Sequence, residues 1–314
     1  METKQVAALA AKLKENISRV LVGKEQTIEY VAAAFLAGGH ILLEDMPGTG
    51  KTTLAKALAK SLDCAYARVQ FTPDLLPADI TGMRIYDQKV GTFHFVKGPA
   101  FTNILLADEI NRATPRTPSA LLECMEEKQI TEGGITYPLE EPYLVIATQN
   151  PVETQGTFPL PEAQLDRFLL CLYLGYPDRE QSVAMLERFL KDAPLEKLES
   201  VASAGDILDA REACRNCRVD RDLLDYMAAI CEEARNPGQV RLGPSPRALL
   251  ALMRTCQALA MIRGRDYVLP DDVKELAVPV LAHRMILRGL QSRQTPAQFL
   301  AELLGRVPVP TETA

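Results

Sequence analysis

The stretch from Gly39 to Thr53 constrains the fold of this chain more than any other. It reads Gly-His-Ile-Leu-Leu-Glu-Asp-Met-Pro-Gly-Thr-Gly-Lys-Thr-Thr: an apolar strand, then a glycine-containing loop that ends in Gly-Lys-Thr, with the helix-forming residues 54–62 behind it. Glycines let backbone N–H groups turn inward around an anion, and a helix N-terminus adds its positive dipole end. The order predicts a P-loop, in which Lys51 reaches the terminal phosphates of a nucleotide and the Thr52 hydroxyl binds Mg²⁺.

One residue of this loop departs from the strict P-loop pattern. The pattern begins with glycine, and this chain has Asp45 at that position. The glycines, the lysine and the threonine all fit. We expect the nucleotide to contact the loop residues Pro47, Gly48, Thr49, Gly50, Lys51, Thr52 and Thr53.

A second motif completes a nucleotide site. Residues 103–109 read Asn-Ile-Leu-Leu-Ala-Asp-Glu, an apolar strand that ends in two acids. A P-loop ATPase needs a carboxylate at such a strand end to hold Mg²⁺, and Asp108 fits that role. Glu109 is placed to polarise the attacking water. Taken alone, the pair resembles two surface acids at the end of a strand; with the P-loop upstream it favours an ATPase.

The first half of the chain alternates strands with helices. Strands are predicted at 40–44, 65–71, 103–108, 143–148 and 168–174, and helices at 24–37, 51–62 and 117–127. This alternation predicts an α/β fold with a parallel sheet flanked by helices. Ligands of such sheets bind at the carboxyl ends of the strands, where Thr148, Gln149 and Asn150 join the two motifs above.

The second half of the chain carries helical periodicity instead. Asp178 and Gln181 have the spacing of a capping box that opens a helix over 179–191. Further helices are predicted at roughly 203–214, 220–235, 246–263, 271–283 and 296–304. We therefore expect three parts: an α/β nucleotide-binding domain over 1–175, an all-α lid domain over 178–306 and a flexible tail over 307–314.

Two insertions interrupt the α/β half. Residues 83–97 alternate around a turn at 89–91, and residues 128–140 alternate around Gly133-Gly134, so both are predicted to be β-hairpins. Neither is needed to close the sheet, which makes both candidates for contact with another molecule, although surface loops without a partner are the plainer alternative.

Composition limits the classes of partner. Lys and Arg number 35 against 41 Asp and Glu, a net charge of −6, which does not indicate a surface built to grip nucleic acid or anionic lipid. Residues 1–17 lack the apolar region of a signal peptide, and the apolar stretch 31–43 is too short to span a bilayer. The seven scattered cysteines, Cys214-x-x-Cys217 among them, fit reduced thiols and a cytoplasmic location better than disulfides or a metal site.

Two longer blocks carry a resemblance to a known family. Residues 101–117 read Phe-Thr-Asn-Ile-Leu-Leu-Ala-Asp-Glu-Ile-Asn-Arg-Ala-Thr-Pro-Arg-Thr, and residues 145–168 read Val-Ile-Ala-Thr-Gln-Asn-Pro-Val-Glu-Thr-Gln-Gly-Thr-Phe-Pro-Leu-Pro-Glu-Ala-Gln-Leu-Asp-Arg-Phe. They resemble the MoxR family of AAA+ ATPases, as does almost the whole chain from Val20-Leu-Val-Gly23 onward. Asp45 also resembles a variant seen in that family.

The resemblance implies an activity and a set of partners. It implies an ATPase that uses ATP and Mg²⁺, carries both hairpins and works as a ring, usually a hexamer. Its members resemble chaperones that remodel or mature other proteins, often alongside a von Willebrand factor A domain protein. No nucleic acid and no membrane insertion are expected.

The same resemblance assigns roles to further residues. Asn150 would be sensor 1, near the γ phosphate or the attacking water, although locally it could be a turn residue before proline. Arg167 would be the arginine finger that enters a neighbouring subunit's site, although it could merely be a cation at a helix end. Val22 and Gly23 match the segment on the adenine side.

Arg247 would be sensor 2, and the residues around it supply a separate argument. Ser245 resembles an N-cap and Pro246 a first helical residue, so Arg247 lies at the positive end of a helix. A cation there is unfavourable unless an anion such as a phosphate approaches it. Whether that phosphate belongs to the same subunit or to the next one stays open.

The P-loop motifs show no cation in their own subunit that is clearly placed to stabilise charge on the γ phosphate. Arg167 precedes the last sheet strand, on the side away from the P-loop in a fold of this order. We therefore expect it to serve a neighbouring subunit, and we expect activity to require assembly.

Two other classes share these nucleotide motifs. A DNA-translocating AAA+ motor would carry basic residues on its second hairpin, but residues 126–141 hold five glutamates and the single lysine Lys128. The ATPase subunit of a metal chelatase need carry no metal ligands itself and stays open as an alternative.

Overall fold

A computed structural model describes residues 1–150, 156–191, 193–288 and 294–310 of the chain. The helices are α1 (Thr3–Ser18), α2 (Glu25–Leu36), α3 (Lys51–Ser61), α4 (Pro77–Thr81), α5 (Arg116–Glu127), α6 (Glu162–Leu165), α7 (Arg179–Lys191), α8 (Ala204–Arg215), α9 (Arg221–Glu233), α10 (Pro246–Ile262), α11 (Pro270–Leu281) and α12 (Pro296–Leu304). The strands are β1 (Ile41–Glu44), β2 (Tyr66–Gln70), β3 (Gly82–Asp87), β4 (Thr92–Lys97), β5 (Ile104–Asp108), β6 (Gln129–Glu132), β7 (Ile135–Pro138), β8 (Leu144–Gln149), β9 (Leu170–Leu172), β10 (Val240–Leu242) and β11 (Ile286–Leu287).

The central sheet has the strand order β2-β5-β8-β1-β9, and every neighbouring pair is parallel. Its inner strands are continuous apolar runs because helices cover both faces of the sheet, and residues 41–43, 104–107 and 144–147 are fully buried. The predicted α/β fold with a parallel P-loop sheet is thereby confirmed.

The strand register brings the predicted motifs to one edge. Gln70 at the end of β2 pairs with Asp108 at the end of β5, and Glu44 at the end of β1 pairs with Gln149 at the end of β8. The P-loop, the acidic pair and Asn150 therefore follow neighbouring strand ends. This is the edge at which a sheet of this kind binds its ligands.

Both insertions form antiparallel hairpins, β3–β4 and β6–β7, as the alternation predicted. Gly133 and Gly134 form the tight turn at the tip of the second hairpin. Their φ angles of 59° and 78° are rarely adopted by residues that carry a β-carbon. The two hairpins touch, because the rings of Phe95 and Tyr137 stack at a centroid distance of 4.3 Å.

Beyond the last strand of the sheet, the chain forms α7 to α12. Asp178 and Gln181 form the predicted capping box of α7, with the Gln181 N–H donating to Asp178 Oδ1 at 2.8 Å. The prediction for this part contained no strands, and the structure adds a small antiparallel ribbon of β10 and β11. Strands of three and two residues leave too little alternation to be seen in a sequence.

The larger hydrophobic core includes residues from both predicted domains. Phe35 of α2 and Leu58 of α3 belong to the same buried cluster as Leu252 of α10 and Leu276 of α11. A second cluster lies on the other face of the sheet, against α5. The boundary at 175–178 stays a prediction. In the predicted tail, 307–314, Val307 and Val309 pack against the larger core, and residues 311–314 lie outside the described part.

Candidate functional site

The P-loop connects β1 to the N-terminus of α3. Gly48 and Gly50 have φ of 84° and 99°, conformations in which a β-carbon is strained, and Gly50 is the N-cap of α3. A β-carbon added to Gly48 meets nothing within 4 Å, since this residue faces open space. The loop therefore leaves the positive end of α3 accessible, which is the arrangement that a phosphate group requires.

A cavity of about 380 Å³ lies in front of this loop. It is lined by Pro47, Gly48, Gly50, Lys51, Thr52, Thr53, Arg68, Gln70, Asp108, Glu109 and Asn150. Most of the residues predicted for nucleotide, metal and water thus share one cavity. Thr49 is buried beneath the loop, where its hydroxyl donates to the Met46 carbonyl at 3.2 Å.

Lys51 lies under the loop that precedes it. Its Nζ donates to the carbonyl oxygens of Asp45 and Met46 at 2.9 and 3.3 Å. The ammonium group is therefore held at the floor of the cavity, next to the N-terminus of α3. The ammonium group and the helix N-terminus both attract an anion. Thr52 and Asp108 place a hydroxyl and a carboxylate on the wall of the same cavity, and such oxygen ligands suit Mg²⁺.

Asp45, the departure from the strict motif, has a structural role. Its Oδ2 accepts hydrogen bonds from the backbone N–H groups of Leu174 and Gly175 at 2.7 and 2.8 Å, and its Oδ1 accepts from Met46 N at 2.9 Å. The carboxylate ties the start of the P-loop to the segment after β9. A glycine at this position could not make these bonds.

The acidic pair is held by a shared hydroxyl. Thr148 Oγ1 donates to Asp108 Oδ1 at 2.6 Å and accepts from the Glu109 backbone N–H at 2.8 Å. Glu109 has φ of 57°, a left-handed conformation that is strained for a residue with a side chain. Such local strain is found at functional sites and here turns the Glu109 side chain toward the cavity.

Glu109 has two side-chain contacts. The side-chain amide of Gln70 donates to Glu109 Oε2 at 2.6 Å, and Arg112 Nε lies 3.2 Å from the same oxygen. The carboxylate is thereby held between β2 and the turn that follows β5. Asn150 lines the cavity at the end of β8, where sensor 1 was predicted.

The P-loop cavity also contains a cation that the sequence analysis did not name. Arg68 of β2 lines the cavity, and its Nη2 and Nε lie 2.6 and 3.2 Å from Asp108 Oδ2. Arg68 and Gln70 are two residues apart on a strand, so both side chains face the same side. The alternation along β2 is visible in the sequence, but the position of β2 beside β5 is not, so the sequence alone could not single out Arg68.

Arg167 and Arg247 lie elsewhere. They line a different cavity of about 350 Å³ and are not among the residues that line the P-loop cavity in the described part of the chain. Arg167 Nε is 3.1 Å from Glu126 Oε2, and Arg247 Nη2 is 2.5 Å from Glu126 Oε1. The residues predicted as arginine finger and sensor 2 are thus brought together, away from the P-loop of the same chain.

Asp166 connects the segments that carry these two arginines. Ser245, the N-cap of α10, donates from its hydroxyl to Asp166 Oδ2 and Oδ1 at 2.9 and 3.1 Å. The buried Arg284 lies 3.2 Å from Asp166 Oδ1 and donates to the Phe168 carbonyl at 2.6 Å. Burial lowers the pKa of the Arg284 guanidinium to about 10. Ser245 is the N-cap of α10 and Pro246 is the first residue of that helix, as predicted.

Val22 and Gly23 lie beside the P-loop rather than in its cavity wall. A β-carbon on Gly50 would meet Leu21 at 3.1 Å, and one on Gly23 would collide with Gln181 of α7 at 2.2 Å. The predicted adenine-side segment therefore runs between the P-loop and α7. Its contact with a nucleotide stays a prediction.

No helix in the described ranges has the length and hydropathy needed to cross a bilayer.

Comparisons with known proteins agree with this geometry. Residues 40–170 match the family described as ATPase family associated with various cellular activities (AAA), and residues 232–303 match the AAA lid domain. The chain is similar to YeaC of Bacillus subtilis, with 46% identity over 310 residues covering 97% of this chain and 96% of YeaC. It is also similar to Chaperone MoxR1 of Mycobacterium tuberculosis, with 40% identity over 310 residues covering 95% of this chain and 82% of that protein.

A solved structure shows the same fold. The crystal structure of a protein assigned as an ATPase from Cytophaga hutchinsonii superposes with a TM-score of 0.90 at 39% identity, and the match covers 98% of both chains. The fold of this chain has thus been seen by experiment in a related protein.

Proposed function

The chain belongs to the MoxR family of AAA+ ATPases, and from that premise we propose that it hydrolyses ATP at sites shared between neighbouring subunits of a ring, as a chaperone-like machine of the cytoplasm. The ring is expected to be hexameric, and the energy of hydrolysis remodels or matures partner proteins, a von Willebrand factor A domain protein among the candidates.

Binding of ATP is assigned to the P-loop. The N–H groups from Gly48 to Thr52 and the Lys51 ammonium receive the phosphates, and the fit rests on the two left-handed glycines and the open space in front of Gly48. Thr52 and Asp108 would hold Mg²⁺, which would screen the negative charge of the phosphate oxygens.

Hydrolysis is assigned to Glu109. Its carboxylate orients and polarises the attacking water, while Gln70 fixes one of its oxygens through the 2.6 Å hydrogen bond. Asn150, on the same cavity wall, binds the water or the γ phosphate. Arg68 holds Asp108 in place through a two-point contact and lies close enough to add positive charge to the cavity.

One observation carries the proposal of shared sites: Arg167 and Arg247 meet on Glu126, at a cavity separate from that of the P-loop. Arginines at this position are of use to an ATP molecule only if that molecule belongs to another subunit. We therefore assign both the arginine finger and sensor 2 to action on the neighbouring subunit, an alternative that the sequence left open for Arg247.

Protein remodelling is favoured over a DNA motor by the two hairpins. The first exposes a set of apolar side chains: Met83, Ile85, Tyr86, Val90, Phe93 and Val96 are each more than 40% exposed. The second hairpin lies in the acidic stretch 126–141, which repels phosphates. An apolar surface beside an acidic one suits a protein client. A chelatase-type partner is the alternative, and co-purification of a tetrapyrrole-binding subunit would identify it.

Subunit mixing tests the shared site. Arg167→Ala keeps its P-loop and should bind ATP yet turn over about 10³- to 10⁵-fold more slowly, the range found for arginine fingers. Adding Glu109→Gln subunits, which keep Arg167, should restore turnover at the mixed interfaces. Specific activity should also fall on dilution as rings dissociate. Full activity of assembled Arg167→Ala rings would refute the proposal.

A further inference from the structure

Glu126 is the one residue that contacts both arginines in the described part of the chain. Each of its oxygens takes one partner: Oε2 lies 3.1 Å from Arg167 Nε and Oε1 lies 2.5 Å from Arg247 Nη2. Glu126 is the penultimate residue of α5, so its own position is set by a helix. We propose that Glu126 is a positioning residue that holds Arg167 and Arg247 side by side for the neighbouring subunit's nucleotide, an inference that rests on the proposed function.

The atoms involved leave the arginines able to bind a second anion. A guanidinium has five N–H donors, and Glu126 engages Arg167 through Nε and Arg247 through one Nη. The terminal fork of Arg167, the part that binds a phosphate in two-point fashion, is not the part that Glu126 uses. The carboxylate can therefore remain bound while the finger reaches a phosphate.

Electrostatics explains why a carboxylate is needed here. Two guanidinium groups that converge on one point repel each other, and each belongs to a long side chain with many rotamers. One shared negative charge offsets the repulsion and restricts both side chains, while the group keeps a net positive charge for a triphosphate. The side chains of Arg167 and Arg247 are 31% and 51% exposed, so a ligand can reach them.

The backbone around the pair is fixed by other contacts. Asp166 and Ser245 join the chain before Arg167 to the start of α10, and Arg284 secures the Phe168 carbonyl. Glu126 therefore acts on the arginine side chains, not on the fold. Removal of its charge should change turnover with little effect on stability, since a half-exposed ion pair contributes little to folding.

The test isolates the subunit that donates the arginines. The acceptor is Arg167→Ala, whose P-loop is intact. The donors all carry Glu109→Gln, so they bind ATP without turnover, and they differ at one further position: none, Glu126→Gln, Glu126→Asp or Glu127→Gln. Glu127 is the next residue on the same helix and is exposed, which makes it the matched control. Assembly of each mixture is checked by native mass spectrometry before kcat and KM for ATP are measured.

The Glu126→Gln donor should lower kcat of the mixture about tenfold and change KM less than twofold, because the acceptor's own P-loop binds the ATP. The Glu126→Asp donor should recover part of the loss, and Glu127→Gln should match the parent donor. An unchanged kcat with Glu126→Gln overturns the positioning role, and a raised kcat shows that Glu126 restrains the arginines instead. If the parent donor itself restores no turnover, the shared-site proposal fails and not this inference alone.

Discussion

The side-chain amide of Gln70 donates a 2.6 Å hydrogen bond to the carboxylate of Glu109, across the gap between the ends of β2 and β5. The donor fixes Oε2 of Glu109, the same oxygen that lies 3.2 Å from Arg112 Nε. The carboxylate is also held by the strained backbone at Glu109, with its φ of 57°. Orientation of this group is thus set from two sides.

The first prediction concerns Glu109 as the base. Glu109→Gln keeps the size of the side chain and can still meet Gln70, but it cannot polarise water. We expect ATP binding to persist and turnover to fall about 10²- to 10⁴-fold, the usual contribution of a general base. Nucleotide-binding calorimetry and a phosphate-release assay measure the two effects. Glu123→Gln, an exposed acid on α5, is the control, and turnover near the wild-type rate in Glu109→Gln would remove Glu109 from this role.

A second prediction concerns Arg68, which the sequence did not identify. Two nitrogens of its guanidinium, Nε and Nη2, meet the same oxygen of Asp108, an arrangement that the single nitrogen of a lysine cannot reproduce. Arg68→Ala and Arg68→Lys should both lower kcat/KM for ATP by about tenfold or more, since hydrogen bonds to charged groups are typically worth about 1.5–3 kcal/mol. Lys89→Ala, on the exposed tip of the first hairpin, serves as the control. Full activity of Arg68→Lys would show that charge alone matters at this position.

The third prediction addresses the non-glycine residue of the P-loop. Asp45→Gly restores the strict motif but removes the acceptor for Leu174 and Gly175, whose N–H groups are then left without this partner. We expect the free energy of unfolding to fall by about 3 kcal/mol. Asp45→Asn keeps an acceptor and should lose less. Urea unfolding of the three proteins makes the comparison, and equal stability of Asp45→Gly would contradict the anchoring role.

The fourth prediction is a loss of stability in acid. Burial lowers the pKa of His40 to about 4, and its ring is bound on both sides, with Val145 N–H donating to Nδ1 and Nε2 lying 3.1 Å from the Met125 carbonyl. The unfolded chain takes up a proton below the ordinary pKa of 6.5, whereas the folded chain does so only near 4. Stability is therefore complete above pH 6.5 and falls as the pH drops toward 4.

For His40 alone the loss should reach about 3 kcal/mol at pH 4. His283, whose burial lowers its pKa to about 3, should add to it. His40→Gln offers a similar acceptor and donor without a titrating ring, so its unfolding free energy should depend less steeply on pH between 6.5 and 4. A parallel pH profile of the two proteins would rule out His40 as a source of the acid sensitivity.

The nucleotide side of this fold could be predicted because its signals are local. A strand, a loop of fixed length and a helix N-terminus place Lys51 and Thr52 within one short segment, and the carboxyl ends of parallel strands then bring Asp108 and Asn150 to them. The capping residues Asp178 and Ser245 were likewise read from a few neighbouring positions.

The parts that could not be predicted depend on contacts between distant segments. Arg68 was missed because its partner lies on another strand, and Glu126 because it meets Arg167 and Arg247 only after the lid has folded against α5. The structural role of Asp45 could not be predicted for the same reason, because its hydrogen-bond donors are backbone N–H groups that follow β9. Nothing in the local pattern around these residues distinguishes them from ordinary surface charges.

The stacked rings of Phe95 and Tyr137 join the first hairpin to the second. The first hairpin is rooted between β2 and β5, and the second between α5 and β8. Of these four flanking elements, β2 and β5 carry Gln70 and Asp108, so both hairpins are connected through the sheet to the wall of the P-loop cavity.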